Sequence, residues 1–292
     1  MTSAAARAGT LAGYDDISDL RQARDIDWVL DWLPASTGRI ADLGCGTGAL
    51  LAAALRRRPE ITLAVGVDRE TSRLEAARAK LAGLAGSAEI RLVAADLRRP
   101  PEGGDLSPAA PFDAGRPFDA VTLTSVLHWI YPDEARLLGW VAARLAPGGA
   151  FLLTTHHPER DADGLGGSDE LARDALAECG VEEARLPGRL RAAGIVPIAT
   201  RSRTVDDLLT LLDEHFRVEA SDEREAVVQA ESGEHYQRFH AATFGTYYSR
   251  LLGPDGAERY FAALGRVAQR RLEERGYVTR MPVRRWRCAP RA

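Results

Sequence analysis

Three glycines alternate with other residues in the run Gly44-Cys45-Gly46-Thr47-Gly48, between an apolar stretch and a helix-forming stretch. Glycine has no Cβ atom, so the backbone can adopt positive φ angles and a ligand can approach the main chain closely. The helix predicted over residues 49–58 presents free N–H groups and a partial positive charge at its start. The turn is therefore predicted to bind a small ligand through its backbone.

An acidic residue follows the turn at a spacing typical of nucleotide-binding folds. Asp68 ends an apolar run, about 20 positions after the glycines, where a carboxylate can accept hydrogen bonds from both hydroxyls of a ribose. Two patterns fit this turn: the dinucleotide pattern Gly-x-Gly-x-x-Gly, and Asp-x-Gly-x-Gly-x-Gly beginning at Asp42. Ala49 stands at the third glycine of the dinucleotide pattern, which tolerates alanine there, so the turn alone leaves both open.

Five segments occur in an order that resembles the class I S-adenosylmethionine-dependent methyltransferases along most of the chain. The turn and Asp68 resemble the family's first motif and its ribose-binding residue. Three later runs resemble its adenine, methionine and fifth-strand segments, namely the run ending in Asp96-Leu97, the run ending in Ser125 to Trp129, and residues 145–151. The resemblance implies S-adenosyl-L-methionine as cofactor. The cofactor contacts it implies come from Asp42, Gly44, Cys45, Gly46, Gly48, Asp68, Arg69, Asp96, Leu97 and Ser125.

Apolar runs alternate with helical patterns from residue 39 to residue 156, which predicts right-handed βαβ units and a parallel sheet covered on both faces. Together with the resemblance, this gives an α/β fold, a doubly wound, mostly parallel seven-stranded sheet with helical cap insertions. We expect four parts: an N-terminal helical lid (1–35), a cofactor-binding core (36–157), the second half of the core with a helical insert (158–230), and a helical cap insert with the final strand (231–292).

Periodicity places several individual elements. A leading helix has Ile26, Val29, Leu30 and Leu33 on one face, and further helices are predicted over 69–84, 168–179 and 205–215. A Pro/Gly-rich surface loop is expected at 99–105. The last two strands are predicted over 216–228 and 280–287. The family's fold joins these strands by a short hairpin, whereas here residues 229–277 separate them and should be helical.

The composition excludes several classes of protein. The 38 basic and 42 acidic residues give a net charge of −4, so no overall field attracts nucleic acid. Cys45, Cys179 and Cys288 are scattered and odd in number, which argues against a disulfide framework. The chain has no apolar run of about 18 residues and no signal-peptide pattern. We expect a soluble cytoplasmic protein without a membrane or nucleic-acid partner.

The segment after the fourth strand offers residues for contact with a methyl acceptor. His128 follows that strand, where the transferring methyl should lie in the resembling family, and is either a general base or a structural histidine beside Trp129. The segment Ser125 to Trp129 also resembles an element of small-acid carboxyl methyltransferases, such as those acting on trans-aconitate or juvenile hormone acid. A carboxylate is ionised at neutral pH and needs no base, so His128 would then orient the acid.

Aromatic residues recur between the two final strands. Tyr236, His240, Phe244, Tyr247 or Tyr248, and Leu251 follow one another at three- and four-residue intervals, which gives a helix one aromatic face. Such a face either packs in a core or lines the acceptor pocket. Tyr14 in the expected lid is a further candidate for contact with the acceptor.

His156, His157 and Glu159 lie just past the fifth predicted strand and suggest a metal site. Neighbouring residues of a strand project to opposite faces, so both histidines rarely bind one ion. We therefore expect no metal, and treat His156 as a second candidate catalytic or substrate-contacting residue.

The expected activity is transfer of a methyl group to an oxygen of a small-molecule metabolite, either a carboxylate or a hydroxyl. Transfer to nitrogen or carbon is an alternative that would require a base such as His128 or His156. Two further classes stay open: a scaffold or cyclase that binds the cofactor without transferring methyl, and a nicotinamide-dependent oxidoreductase.

Overall fold

The computed structural model describes residues 23–84, 86, 88–100, 117–157, 170–196 and 198–291. Two compact units are formed. The core unit comprises residues 25–156, 203–224 and 283–291, and the helical unit residues 23–24, 157–202 and 225–282, within the described ranges. The predictions for Tyr14, most of the lid, residues 101–105 of the loop and the start of the 168–179 helix lie outside the described residues.

The elements alternate as the sequence predicts. In chain order they are α1 (Ala23–Leu30), β1 (Arg39–Leu43), α2 (Ala49–Arg57), β2 (Leu63–Asp68), α3 (Thr71–Leu81), β3 (Glu89–Ala94), β4 (Phe118–Thr124), α4 (Leu127–Ile130), α5 (Glu134–Ala142), β5 (Leu145–Thr155), α6 (Glu170–Glu178), a 3-10 turn (Glu183–Arg185), α7 (Leu186–Ala192), α8 (Ile198–Arg201), α9 (Val205–Asp213), β6 (Phe216–Val228), α10 (Gly233–Leu252), α11 (Pro254–Arg275) and β7 (Thr279–Pro290).

Seven strands form one sheet in the order β3-β2-β1-β4-β5-β7-β6. β1 pairs in parallel with β2 on one side and with β4 on the other, whereas β7 pairs antiparallel with β5. The strand order therefore reverses beside β1, and such a switch point leaves a crevice at the carboxyl ends of the strands. The predicted mostly parallel seven-stranded sheet is confirmed.

Neighbouring residues along the strands face two different cores. Ile40, Ala64 and Leu152 pack in one core with α1, α2 and α3. The residues that follow them in sequence pack in the other core with α5, α9 and Trp286 of β7. Both faces of the central strands are thus covered, which explains why β1 and β2 are buried at almost every position rather than at alternate ones.

Two arginines of β7 contact α1 and the turn that follows it. The Arg285 guanidinium lies 3.7 Å from the ring centroid of Trp32 and 4.6 Å from that of Trp28. It also donates to the carbonyl oxygen of Trp28, and Arg287 donates to that of Trp32. The last carbonyls of a helix have no partner within the helix, so Arg285 caps α1 as well as covering its indoles.

The helical unit is built on two long helices. Ser232 caps α10 by accepting a hydrogen bond from the His235 N–H at 3.1 Å. α10 and α11 approach closely near Gly233, since a Cβ atom at that position would overlap the carbonyl oxygen of Gly265. Arg266 and Arg270 of α11 both pair with Glu178 of α6, at 2.9 and 2.7 Å.

The prediction of helices across 229–277 is confirmed: α10 and α11 occupy this segment and are separated by Gly253, whose φ is +73°. The helix predicted over 69–84 is shorter at both ends. The helix begins at Thr71 because the Asp68 carboxylate accepts the Glu70 N–H at 2.9 Å, which keeps Glu70 outside the helix. Among the described residues, no helix is long and apolar enough to cross a bilayer.

Candidate functional site

The glycine turn connects the end of β1 to the start of α2. Gly44, Gly46 and Gly48 have φ angles of +75°, +53° and +79°, a region that residues with a Cβ atom rarely adopt. The N–H groups of Gly44 and Cys45 donate to the Val67 carbonyl at 2.7 and 2.9 Å. The turn is therefore fixed to β2 at the switch point of the sheet.

Two of these glycines face different surroundings. A Cβ atom at Gly44 would overlap the side chain of Val126, which follows β4, so glycine is required there by packing. A Cβ atom at Gly46 would have no atom of the described chain within 4 Å. Gly46 thus leaves open space above the turn, as a site for a ligand that approaches the backbone requires.

Asp68 lies beside this space. Its Oδ2 atom accepts the Gly46 N–H at 3.0 Å and its Oδ1 atom the Glu70 N–H at 2.9 Å. A carboxylate oxygen has two lone pairs, so each can still accept a second hydrogen bond. The side chain is largely buried and held in one position, as expected of a group that recognises hydroxyls.

Asp42 lies beneath the turn and is only 2% exposed. Its carboxyl group accepts a hydrogen bond from Thr122 Oγ1 at 2.7 Å. Burial raises the pKa of Asp42 to about 7, the bond from Thr122 opposes this rise, and the nearby charge of Asp68 adds to it.

Residues 96 and 97 follow β3 as the sequence predicts. The Arg98 guanidinium pairs with Asp96 at 2.6 Å, and hydrogen bonds from Arg98 lower the pKa of that carboxyl to about 2. Leu97 is buried against the core. Arg69 is exposed and pairs with Glu70 at 3.0 Å.

The carboxyl ends of β4 and β5 carry four further candidates. Ser125 has a φ of +57°, a strained value for a residue with a side chain, and donates its N–H to Thr154 Oγ1 at 2.9 Å. The ring of His128 lies 5.1 Å from that of Trp129 and 6.3 Å from that of His156. Trp129 is 39% exposed, so this edge of the sheet presents two imidazoles beside an accessible indole.

An ion pair restrains the position of the segment that follows His128. Glu134 is buried and accepts two hydrogen bonds from Arg203, each of 3.0 Å. The same guanidinium lies 5.0 Å from the ring centroid of Tyr131, which directly follows α4. A bidentate pair of this kind fixes orientation as well as distance.

The aromatic candidates lie in the helical unit. His240 contacts both Tyr236 and Phe244, with ring centroids 5.9 and 4.6 Å apart. Tyr247 contacts Tyr248 at 5.0 Å and remains partly exposed. The buried members therefore form the core of this unit, while Phe244 and Tyr247 reach its surface.

In the parts of the chain that the structure describes, no group of three or more His, Cys, Asp or Glu side chains is arranged to hold a metal ion. His156 and His157 follow the last residue of β5 and are both partly exposed.

Sequence reasoning did not single out the residues that support the site. Thr122 and Thr154 are hydroxyl residues near the ends of apolar strands, and this contrast is the signal that could have found them. Lys80 of α3 donates to Thr47 of the glycine turn at 3.2 Å, and Arg203 reaches Glu134 from a distant part of the chain. No local pattern links either pair.

The chain resembles known proteins at this site and in its fold. Residues 41–151 match a family model described as a methyltransferase domain. A trans-aconitate 2-methyltransferase from Streptomyces avermitilis is 32% identical over 119 residues. That alignment covers 41% of this chain and 39% of the relative, so the chain matches well under half the length of that curated protein.

Solved structures share the fold over nearly the whole chain. The mycolic acid cyclopropane synthase CmaA1, complexed with SAH and CTAB, superposes with a TM-score of 0.56 at 17% identity, covering 98% of both chains. The [4+2]-cyclase SpnF superposes with a TM-score of 0.53 at 16% identity, covering 92% of this chain and 84% of the cyclase. The architecture is that of the class I methyltransferases.

Proposed function

From a chain that has the class I methyltransferase fold and a methyltransferase domain over residues 41–151, we propose an S-adenosylmethionine-dependent enzyme that methylates an oxygen of a small-molecule metabolite. The observation that carries the proposal is the open space above Gly46 beside the fixed carboxylate of Asp68, at the switch point of the sheet. This is the position at which open α/β sheets bind their ligands.

The residues around this space fit the cofactor. Asp68 would accept the ribose hydroxyls with its remaining lone pairs, and Leu97 with Asp96 would hold the adenine. Ser125 would face the methionine end, and the positive end of α2 lies at the turn. Cys45 and Arg69 are the other proposed cofactor contacts. Asp42 is buried, and we propose that it acts indirectly, by holding the glycine turn in place.

S-adenosylmethionine supplies a methyl group that is already activated by its positively charged sulfur. The protein then has mainly to orient the acceptor, which can lower the barrier by about 7–11 kcal/mol. His128, Trp129 and His156 are the proposed acceptor contacts of the core unit. A carboxylate acceptor needs no base, so His128 orients it by hydrogen bonding. A carboxylate acceptor agrees with the partial match to trans-aconitate 2-methyltransferases.

Calorimetric titration with S-adenosylhomocysteine and with NAD tests the cofactor. We expect S-adenosylhomocysteine alone to bind, and Asp68→Asn to weaken it roughly 10–100-fold, the value of hydrogen bonds to a charged group. Asp119→Asn is the matched control, because Asp119 also accepts two backbone N–H groups, both at 2.8 Å, but at the opposite end of β1. Binding of NAD instead, or of neither ligand, would overturn the proposal.

Turnover with S-adenosylmethionine tests the reaction. With an acid acceptor, such as trans-aconitate or an aromatic carboxylic acid, the expected products are S-adenosylhomocysteine and a methyl ester, and His128→Gln should reduce kcat less than about 100-fold. A loss of about 10²–10⁴-fold would assign a general base to His128 and favour nitrogen or carbon methylation. Tight cofactor binding with no S-adenosylhomocysteine released from any acceptor would favour a scaffold or cyclase.

A further inference from the structure

One nitrogen of a buried histidine in the helical unit has no hydrogen-bond partner in the described part of the chain. His240 lies in the middle of α10 and is 8% exposed. Its Nε2 atom shares a hydrogen bond of 3.2 Å with the hydroxyl of Tyr260. Its Nδ1 atom is buried and has no hydrogen-bond partner among the described residues. Buried polar atoms are nearly always paired in folded proteins, so this atom can accept a partner that the described residues do not supply.

The surroundings of His240 are aromatic. Its ring centroid lies between 4.6 and 6.2 Å from those of Phe244, Tyr248, Tyr236, Tyr260 and Phe261. Burial lowers the pKa of His240 to about 3, so the imidazole is neutral and has one donor and one acceptor nitrogen. Whichever role Tyr260 takes at Nε2, Nδ1 can still bond to a hydroxyl, which both donates and accepts.

The aromatic cluster has an accessible side. Phe239, Phe244 and Tyr247 are only partly buried and pack against the buried members. A flat ligand could therefore reach His240 by displacing partly exposed rings rather than the fully buried Tyr260 and Phe261.

Two arginines converge on one turn beside this cluster. Arg250 donates to the Ala193 carbonyl and Arg201 to the Val196 carbonyl, both at 2.8 Å. Ala193 packs against the buried core of the helical unit, to which these aromatic rings also belong. Burial, and then the neighbouring charge of Arg250, lower the pKa of Arg201, while Tyr247 interacts favourably with its charge. Two like charges at one turn attract an anion, and a guanidinium matches the shape of a carboxylate.

We propose that the helical unit binds an aromatic carboxylic acid with a hydroxyl substituent: Arg201 and Arg250 contact the carboxylate, Phe244 and Tyr247 the aromatic ring, and His240 Nδ1 the hydroxyl. A polycarboxylate without an apolar body fits less well, because the neutral aromatic cluster would remove water from its additional charges. Naming this acid as the methyl acceptor rests on the proposed function. The binding site itself does not.

The test uses the full chain saturated with S-adenosylhomocysteine, and 4-hydroxybenzoate, benzoate and trans-aconitate as probes. Binding is followed by calorimetry and by the ¹⁵N resonance of His240 Nδ1, which reports a hydrogen bond at that atom. We expect 4-hydroxybenzoate to bind, to shift this resonance, and to bind about tenfold more tightly than benzoate, the effect of one hydrogen bond. Trans-aconitate should bind more weakly than 4-hydroxybenzoate.

Matched variants separate the contacts. Arg250→Gln should weaken both aromatic acids at least about tenfold, as expected for a charge-assisted bond. Arg266→Gln is the control, because Arg266 belongs to the same unit but pairs with Glu178. His240→Phe keeps an aromatic ring and removes the unpaired nitrogen, so it should fold and should erase the preference for 4-hydroxybenzoate over benzoate.

Several results would overturn the inference: no binding of either aromatic acid, binding that leaves the His240 resonance unchanged, or equal losses in Arg250→Gln and Arg266→Gln. Tighter binding of trans-aconitate would also overturn it, while leaving the proposed methylation of acids intact. If S-adenosylhomocysteine fails to bind but 4-hydroxybenzoate still shifts His240 in the unliganded protein, the proposed function fails and the site stands.

Discussion

Gly46 is the residue of the glycine turn at which a side chain would project into open space rather than into the protein. We predict that Gly46→Ala costs about 1–2 kcal/mol of stability, because alanine disfavours the left-handed region. The new methyl group should also occupy ligand space and weaken S-adenosylhomocysteine binding at least about tenfold. Thermal unfolding and calorimetry measure the two effects separately.

Gly148 provides the matched control for this substitution. It has a φ of +80° and, like Gly46, would place a Cβ atom with nothing within 4 Å, but it lies near the start of β5, at the opposite end of the sheet. Gly148→Ala should lower stability by a similar amount and leave ligand binding unchanged. Equal losses of binding in the two variants would show that the turn contacts no ligand.

Asp42 makes stability depend on pH. Its pKa is raised to about 7 from 3.8, so between these values the folded chain binds more protons than the unfolded chain. The free energy of unfolding should therefore fall as the pH rises through this window, by about 1.4 kcal/mol per unit of pKa difference at most. Asp42→Asn mimics the protonated form and should lose less stability between pH 5 and pH 8, as denaturant titrations would show. Parallel curves for the two proteins would contradict this.

At the scale of elements, the attachment of α1 depends on β7. Arg285→Gln removes the stacking on Trp28 and Trp32 and the bond to the Trp28 carbonyl, a loss of about 1–3 kcal/mol. We expect faster hydrogen exchange of the α1 amides in this variant. Arg217→Gln is the control, because Arg217 is exposed and makes a surface ion pair with Glu219, worth about 0–1 kcal/mol. Unchanged exchange in α1 would mean that its apolar face alone holds it.

At the scale of the whole molecule, the two units have separate buried cores: two clusters cover the faces of the sheet, and a third lies around α10 and α11. Gly233→Ala should destabilise the helical unit by about 1–3 kcal/mol, because the methyl group would overlap the Gly265 carbonyl. Hydrogen exchange should increase in α10 and α11 and stay unchanged in β1 to β5. A uniform increase over all strands would show that both units unfold together.

Gly188 of α7 is the control within the same unit. A Cβ atom there would meet nothing within 4 Å, so Gly188→Ala should be neutral or gain up to about 1 kcal/mol from helix propensity.

The sequence by itself determined the sheet, its parallel βαβ order, the glycine turn and the helices between the last two strands. These features depend on local chemistry: alternation of apolar runs, glycines at positive φ, and three- and four-residue aromatic spacing. For the same reason, Asp68 and His128 could be placed at strand ends, although their roles remain proposals.

Only the tertiary structure decided which side chains meet. Thr122 reaches Asp42, Val126 fills the space beside Gly44, and Arg203 pairs with Glu134 across long separations in sequence. The same holds for His240 Nδ1, which is buried and has no hydrogen-bond partner among the residues that the structure describes. An aromatic stripe predicts a helix face but not how each atom of that face is paired. Burial and pairing are properties of packing between elements, and residue spacing within one element does not specify them.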